Sequence, residues 1–371
     1  MNILITFLSA RKNVFGGMER SIFSLANGLE FHDCKIYIYT AVSEQKNQKI
    51  IQSSYLKASF DEPIECIDNN ILRNYSTYKA EIRTEIDHAI KNLHINYILV
   101  VDQLWGIIPH IDFWSNEEMC RVGIVYHMFL QPDLIQLTLN EPFDDYFAVS
   151  NDVRNKIMTN CETHNKKIHL LPNSYSEEEF YPNKKRQNFK YVFCNSRLAR
   201  NKGIEFLLPA FLQFHKENPD YKLVLCGGKF HFGDHEYILD FIKRFIADNN
   251  EICSDIIILD NLDWNVIPKY IQNASMVVLP SGYESFGIAA LESIACEVPL
   301  ITTDEGNLPD LVENAGIIIK YGNSQLLFNA MKQLVEDVEK EKYIVSNCHN
   351  VKQKYESKKV AENLLTIIGN A

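Results

Sequence analysis

An α/β chain built on two doubly wound parallel sheets is what the sequence predicts, and three observations predict it. Apolar runs of strand length alternate with stretches whose apolar residues recur at helical spacing. The alternation stops in a polar stretch, Pro172 to Lys190, and then starts again. At 371 residues the chain is long for one core and comfortable for two.

The elements follow in order. Asn2 to Leu8 reads as a strand, Ser9 to Gly17 as a loop ending in Gly16-Gly17, and Met18 to Leu29 as a helix with Met18, Ile22, Leu25, Ala26 and Leu29 on one face. Lys35 to Tyr39 reads as the next strand. Ile64 to Ile67 and Tyr97 to Val101 read as strands on either side of a helix from Tyr78 to Leu93. Arg121 to Tyr126 forms a strand ending at His127. Tyr146 to Val149 forms another, and Ser150 has the chemistry of an N-cap for a helix over Asp152 to Met158. Ile168 to Leu171 closes the first series.

The Pro172 to Lys190 stretch, with Pro182, Lys184, Lys185 and Arg186, reads as the inter-domain linker. The second series has strands at Tyr191 to Asn195, Lys222 to Cys226, Ile256 to Leu259, Met276 to Leu279, Leu300 to Thr303 and Gly316 to Ile319. Helices are expected over Gly203 to Lys216, Tyr237 to Ala247, Ile267 to Ile271, from near Gly287, and through most of the tail from Ser324. In doubly wound sheets ligands bind beyond the strand C-termini. The Gly16-Gly17 loop, His127, the Arg197–Lys202 loop, Gly227-Gly228 and the Glu284 loop all follow strands, so one cleft could gather them.

Composition bounds the function. Hydrophobic residues at 46% and charged residues at 23% are ordinary for a globular domain. No apolar run approaches the roughly 20 residues that span a bilayer. Met1 to Leu8 lacks the basic start of a signal peptide. Nine cysteines without a Cys-x-x-Cys pair fit a reducing cytoplasm and give no zinc signature. Residues 1–170 carry 16 Lys and Arg against 21 Asp and Glu, and the remainder 21 against 27. Neither half is basic, which argues against nucleic-acid binding and weakly against anionic membranes, though peripheral membrane contact stays open.

The densest stretch of candidate chemistry is Pro280 to Glu292. A strand hands over to a helix there, and N–H groups at a helix N-terminus suit phosphate. Glu284 and Glu292 flank that anion site, where carboxylates suit hydroxyls; a ligand with both phosphate and hydroxyls is a sugar nucleotide. An ordinary crossover with two solvated glutamates fits the stretch as well. Arg197 and Lys202 precede another helix start, an arrangement unfavourable for the dipole unless an anion sits between them. Both look exposed, Arg200 lies between them, and a solvated turn is the plain alternative. Asp102 is a second acid/base candidate after His127. His231 and His235 have metal-ligand spacing, but Gly233 interrupts it, so no metal site is expected. Gly-x-Gly-x-x-Gly is absent, which disfavours a nicotinamide-dependent dehydrogenase.

Taken together, these residues resemble the retaining GT-B glycosyltransferases of the GT4 group, over nearly the whole length. The resemblance rests on Gly16-Gly17-Met18-Glu19, His127, Ala148-Val149-Ser150, Leu171-Pro172-Asn173, Ser196-Arg197-Leu198 with Lys202-Gly203, and Pro280-Ser281 leading into Glu284 and Glu292. It implies two Rossmann-like domains facing across a cleft. Residues 1–182 would form the acceptor side and 183–354 the donor side, with a helix over about 355–371 packing back on the first. It implies Arg197 and Lys202 on the donor diphosphate, Glu284 on sugar hydroxyls, Glu292 on the ribose, and His127 near the reacting centre. Gly16, Gly17, Gly227, Ser285, Phe286, Gly287 and Ile288 would line the donor. The implied enzyme is a cytoplasmic hexosyl- or N-acetylhexosaminyl-transferase, taking a nucleotide-diphosphate sugar, UDP foremost, to a hydroxyl acceptor such as a glycan or glycolipid precursor, with no metal or other cofactor. Ser196, Ser174, Ser176 and Glu297 depart from the family's usual residues and leave the subfamily open. A GT-B-fold sugar-nucleotide epimerase or a phosphorylase would share the phosphate site, and a non-enzymatic two-lobed binding protein would share the fold.

Overall fold

The computed structural model describes residues 1–7, 9–10, 17–43, 49–56, 64–101, 120–129, 132–183, 190–227, 234–259 and 262–369. Gly16, Asp102, Lys184, Lys185, Arg186, Gly228, His231 and Gly233 lie outside them. The chain divides into two compact units: Met1–Val14, Met18–Ser174 and Ser357–Ala371; and Phe15–Gly17 with Tyr175–Glu356. The sequence reading instead places the division at 182 and 183.

The first unit is built on strands β1 (Asn2–Thr6), β3 (Lys35–Thr40), β5 (Ile50–Gln52), β6 (Tyr97–Val101), β7 (Arg121–Tyr126), β8 (Asp145–Ala148) and β9 (Ile168–Leu170). Their order is β5-β3-β1-β6-β7-β8-β9, and every pairing is parallel. A parallel sheet covered by helices is buried on both faces, which is why Tyr-Ile-Leu-Val-Val of β6 is buried throughout rather than alternating. A small parallel pair, β2 (Ser9–Ala10) with β4 (Val42–Ser43), forms where the sequence reads as loop; two residues are too few for a periodicity to show.

The second unit carries β10 (Tyr191–Asn195), β11 (Lys222–Cys226), β12 (Ile256–Leu259), β13 (Met276–Leu279), β14 (Leu300–Thr303) and β15 (Ile317–Ile319), in the order β12-β11-β10-β13-β14-β15. All of these pairs are parallel too. The order runs outward in one direction from β10 and in the other from β13. The topological switch therefore falls between these two strands, and the crevice beyond their C-terminal ends is where such sheets bind ligands.

Two readings are corrected. Ile64 to Ile67 is not a strand but the start of a helix, Ile64–Leu93, kinked at Tyr78. Ile64, Ile67 and Ile71 recur at i, i+3 and i+7, a helical period that outweighs the β-branched composition. A helix at Pro132–Asn140 is present where none is expected; proline at its first position is pre-set for a helix start. Ser150 does cap the next helix, Asn151–Asn160, its hydroxyl accepting from Val153 N.

The helix Ser357–Gly369 packs on the first unit through Val360, Ala361, Leu364 and Ile368. Gly28 makes this possible: a Cβ there would fall 2.1 Å from the Ser357 carbonyl oxygen. At the other end of the helix the Arg121 guanidinium donates to Ile368 O at 2.5 Å and to both oxygens of Asp145 at 2.8 and 3.0 Å. Tyr97 OH donates to the same carboxylate. No described helix is long and apolar enough to cross a membrane.

Candidate active site

Two connections meet beyond β10 and β13. After β10, Ser196 N donates to Cys226 O at 3.0 Å and holds the chain beside the end of β11. Gly227 follows β11, and a Cβ on it would lie 1.9 Å from Ser196 O, so backbone crowding already accounts for a glycine there. Arg197 comes next, half-buried, and Leu198 inserts into the core. A 3-10 turn, Arg200–Lys202, then ends at Gly203 in the left-handed region with φ 70°, where the helix Ile204–Glu217 starts. A side chain at Gly203 would put Cβ 2.1 Å from Pro280 O. That contact presses the Lys202 turn onto the start of the second connection.

The second connection runs from β13 through Pro280 to the helix Ile288–Ala295, with Gly287 as its N-cap residue at φ 97°. Gly282 N donates to Asn201 O at 2.7 Å, a second tie between the two. The side chains then meet directly. Lys202 Nζ donates to Glu284 Oε1 at 2.6 Å, and Ser281 Oγ donates to the same oxygen at 2.9 Å. Lys202 is only 6% exposed, which corrects the expectation of an exposed cation. Its stem is packed and its charge is brought to the end of a helix by a carboxylate. Arg200, by contrast, is exposed; its guanidinium lies 3.8 Å from the Tyr237 ring centroid and 3.7 Å from Asp234.

The other predicted residues of the second unit lie on these same connections. Ser285 and Ile288 are half-exposed at the turn and the helix start. Phe286 is buried, edge-on to Tyr355, so only its backbone faces the turn. Glu292 is 1% exposed, deeper than a solvated glutamate on a crossover helix. Gly17, grouped with the second unit, opens the helix Gly17–Phe31, and in the first unit His127 directly follows β7. Burial pushes His127 down to about 3, so its imidazole is neutral at ordinary pH. Two residues to which the sequence reading gave no role, Thr303 and Asn307, fix the turn together with Ser281. Asn307 donates through its backbone to Glu284 O and through its side chain to Phe286 O, and Thr303 Oγ1 donates to Ser281 O. The Gly306-Asn307 turn signal after β14 marks the place in sequence, but nothing local shows what it touches.

Residues 176–351, nearly all of the second unit, match the family described as Glycosyl transferases group 1. An uncharacterized glycosyltransferase of Methanocaldococcus jannaschii is 25% identical over 282 residues, 70% of this chain and 69% of that protein. Across the curated relatives it matches first, the chain spans between 34% and 69% of their lengths. Among solved structures, sucrose-phosphate synthase of Thermosynechococcus elongatus superposes with a TM-score of 0.76 at 17% identity, covering 100% of this chain and 98% of the other. HepE of Anabaena, solved with UDP and glucose, gives 0.74 at 16%, covering 100% and 99%. The fold is thus GT-B, two Rossmann-like parallel-sheet domains. Over residues 176–351 the chain is thus similar to the family of glycosyl transferases group 1.

Proposed function

We propose that the chain is a retaining glycosyltransferase that moves a hexosyl or N-acetylhexosaminyl group from a nucleotide-diphosphate donor, UDP foremost, to a hydroxyl of a glycan, glycolipid precursor or small molecule. The observation that carries the reading is the buried Lys202 ammonium, held by Glu284 beyond the switch point of the second sheet. A buried lysine beside two helix starts suits a ligand with two phosphates, and the neighbouring carboxylate suits a ligand that also has hydroxyls. The Anabaena structure with UDP and glucose supports the choice of nucleotide.

In this reading the anomeric C–O bond breaks as negative charge grows on the diphosphate. Arg197, Lys202 and the helix N-terminus at Ile288 stabilise that charge, in the place a divalent ion takes in other transferases. The sugar bears oxocarbenium character, the acceptor hydroxyl attacks the same face as its proton passes to the departing diphosphate oxygen, and the configuration is kept. Glu284 holds sugar hydroxyls and Glu292 the ribose. His127, being neutral, offers a hydrogen bond to the sugar without adding charge. No metal or other cofactor takes part.

A thermal-shift panel of UDP, GDP, ADP and dTDP, with and without EDTA, tests the donor. The expected result is a UDP-dependent rise in melting temperature that EDTA leaves unchanged, followed by transfer of label from a UDP-sugar to acceptor. Isomerised donor without acceptor would overturn the transferase reading in favour of an epimerase.

A further inference from the structure

We infer that Ser281 is a positioning residue for donor-sugar recognition, dividing the two oxygens of the Glu284 carboxylate between separate tasks. The inference rests on the donor reading above.

The geometry is asymmetric. Glu284 Oε1 accepts from Lys202 Nζ at 2.6 Å and from Ser281 Oγ at 2.9 Å. Among the described residues no side-chain or backbone donor is seen at Oε2, and the Glu284 side chain keeps 27% of its surface exposed. An ionised carboxylate has about four lone-pair sites. Two donors on one oxygen restrain rotation about the terminal bond and leave Oε2 as the oxygen available to a ligand. Ser281 is itself 0% exposed, so its hydroxyl is turned inward to this single acceptor rather than shared with water.

The backbone beneath is fixed as firmly. Thr303 Oγ1 donates to Ser281 O, Asn307 N donates to Glu284 O at 2.9 Å, and Asn307 Nδ2 donates to Phe286 O at 3.1 Å. Thr303 and Asn307 are both buried. Gly306, at φ 63°, approaches so closely that a Cβ would fall 2.2 Å from Glu284 O. The segment after β14 therefore straps down the turn that carries Glu284. An unstrapped glutamate would lose rotamer freedom on meeting a ligand; this one has lost it on folding. Oε1 serves the cation that faces phosphate, and Oε2 is left for a neutral donor, which on a nucleotide sugar is a hexose hydroxyl. Sequence conveys none of this, because Ser281 reads as a turn residue.

The experiment uses the full chain and measures affinity by calorimetry for the nucleoside diphosphate it binds best among UDP, GDP, ADP and dTDP, and for that nucleotide's hexose conjugates. Ser281→Cys conserves volume and leaves only a weak donor; Ser281→Thr restores the hydroxyl. In Ser281→Cys the nucleotide affinity stays within about twofold, while the ratio of conjugate to nucleotide affinity falls about tenfold or more, the loss of one charge-assisted hydrogen bond. Ser281→Thr brings the ratio back to within about threefold of wild type. An unchanged ratio in Ser281→Cys overturns the role. A parallel loss of nucleotide affinity overturns it as well, because Ser281 would then support the fold or the phosphate site. Wild-type protein that binds none of the four nucleotides overturns the donor reading itself, and the role of Ser281 with it.

Discussion

At the residue scale, Lys202 and His127 make opposite use of burial. Lys202 is buried against the Glu284 carboxylate, and replacing it by Gln retains the stem while removing the ammonium. Transfer is expected to fall roughly 100-fold or more, the usual cost of losing one stabiliser of developing charge. Turnover of labelled donor within threefold of wild type, about the scatter of a neutral substitution, would remove Lys202 from the mechanism. His127 has no such counter-charge as its dominant influence; desolvation holds it at about 3. The linkage follows from the sign: an unfolded histidine takes up a proton near pH 6.5, the buried one does not. Stability is therefore complete above pH 6.5 and is lost as pH falls towards 3, by about 1.4 kcal/mol per unit. Between pH 7 and pH 5 this is about 2 kcal/mol, which His127→Gln is expected to abolish in urea-unfolding midpoints. Both residues are visible in sequence, His127 after a strand and Lys202 before a helix start, but their burial is not, since it depends on packing from other elements.

At the element scale, the second unit was the more legible. Its strands are continuous apolar runs, and the glycines stand where two connections cross. The first unit was misread at Ile64–Ile67, where composition favours a strand and period a helix. The helical period of Ile64, Ile67 and Ile71 is the better guide there. The glycines give a graded test. Ala at Gly203 would carry a left-handed φ and a Cβ 2.1 Å from a fixed carbonyl oxygen. A loss of about 1–3 kcal/mol is expected from the backbone conformation alone, with nucleotide affinity falling as the Lys202 turn shifts. Ala at Gly282 meets the Tyr321 ring tip at 2.7 Å, and a side-chain tip can swing away. Its cost should stay below about 1 kcal/mol. Equal denaturant midpoints for the two variants would show that the crossing is not as tight as the distances say. The strap residues Thr303 and Asn307 were illegible because their partners lie beyond β14 in sequence and meet the turn only in the sheet.

At the scale of the whole molecule, the final described helix belongs with the first unit and not with the unit that precedes it in sequence. Val360, Leu364 and Ile368 are buried there, each contributing about 1.5–3 kcal/mol. A chain ending at Glu356 is expected to lose amide protection in β1, β3 and β6 through β8, while β10 through β15 keep theirs. Hydrogen exchange reads the two sets separately, and uniform protection would make the helix dispensable. The return of the chain also orders events during synthesis. Tyr175 bridges Glu356, so the second unit begins and closes at one place. Its 182 residues, Tyr175 to Glu356, leave the ribosome before the helix that completes the first unit. At about 5–20 residues per second, that delay is roughly 10–40 s. Throughout it the first sheet waits with the apolar surface around Gly28 uncovered. The nascent chain, rather than the finished protein, is therefore where this architecture is most exposed to aggregation and to chaperones.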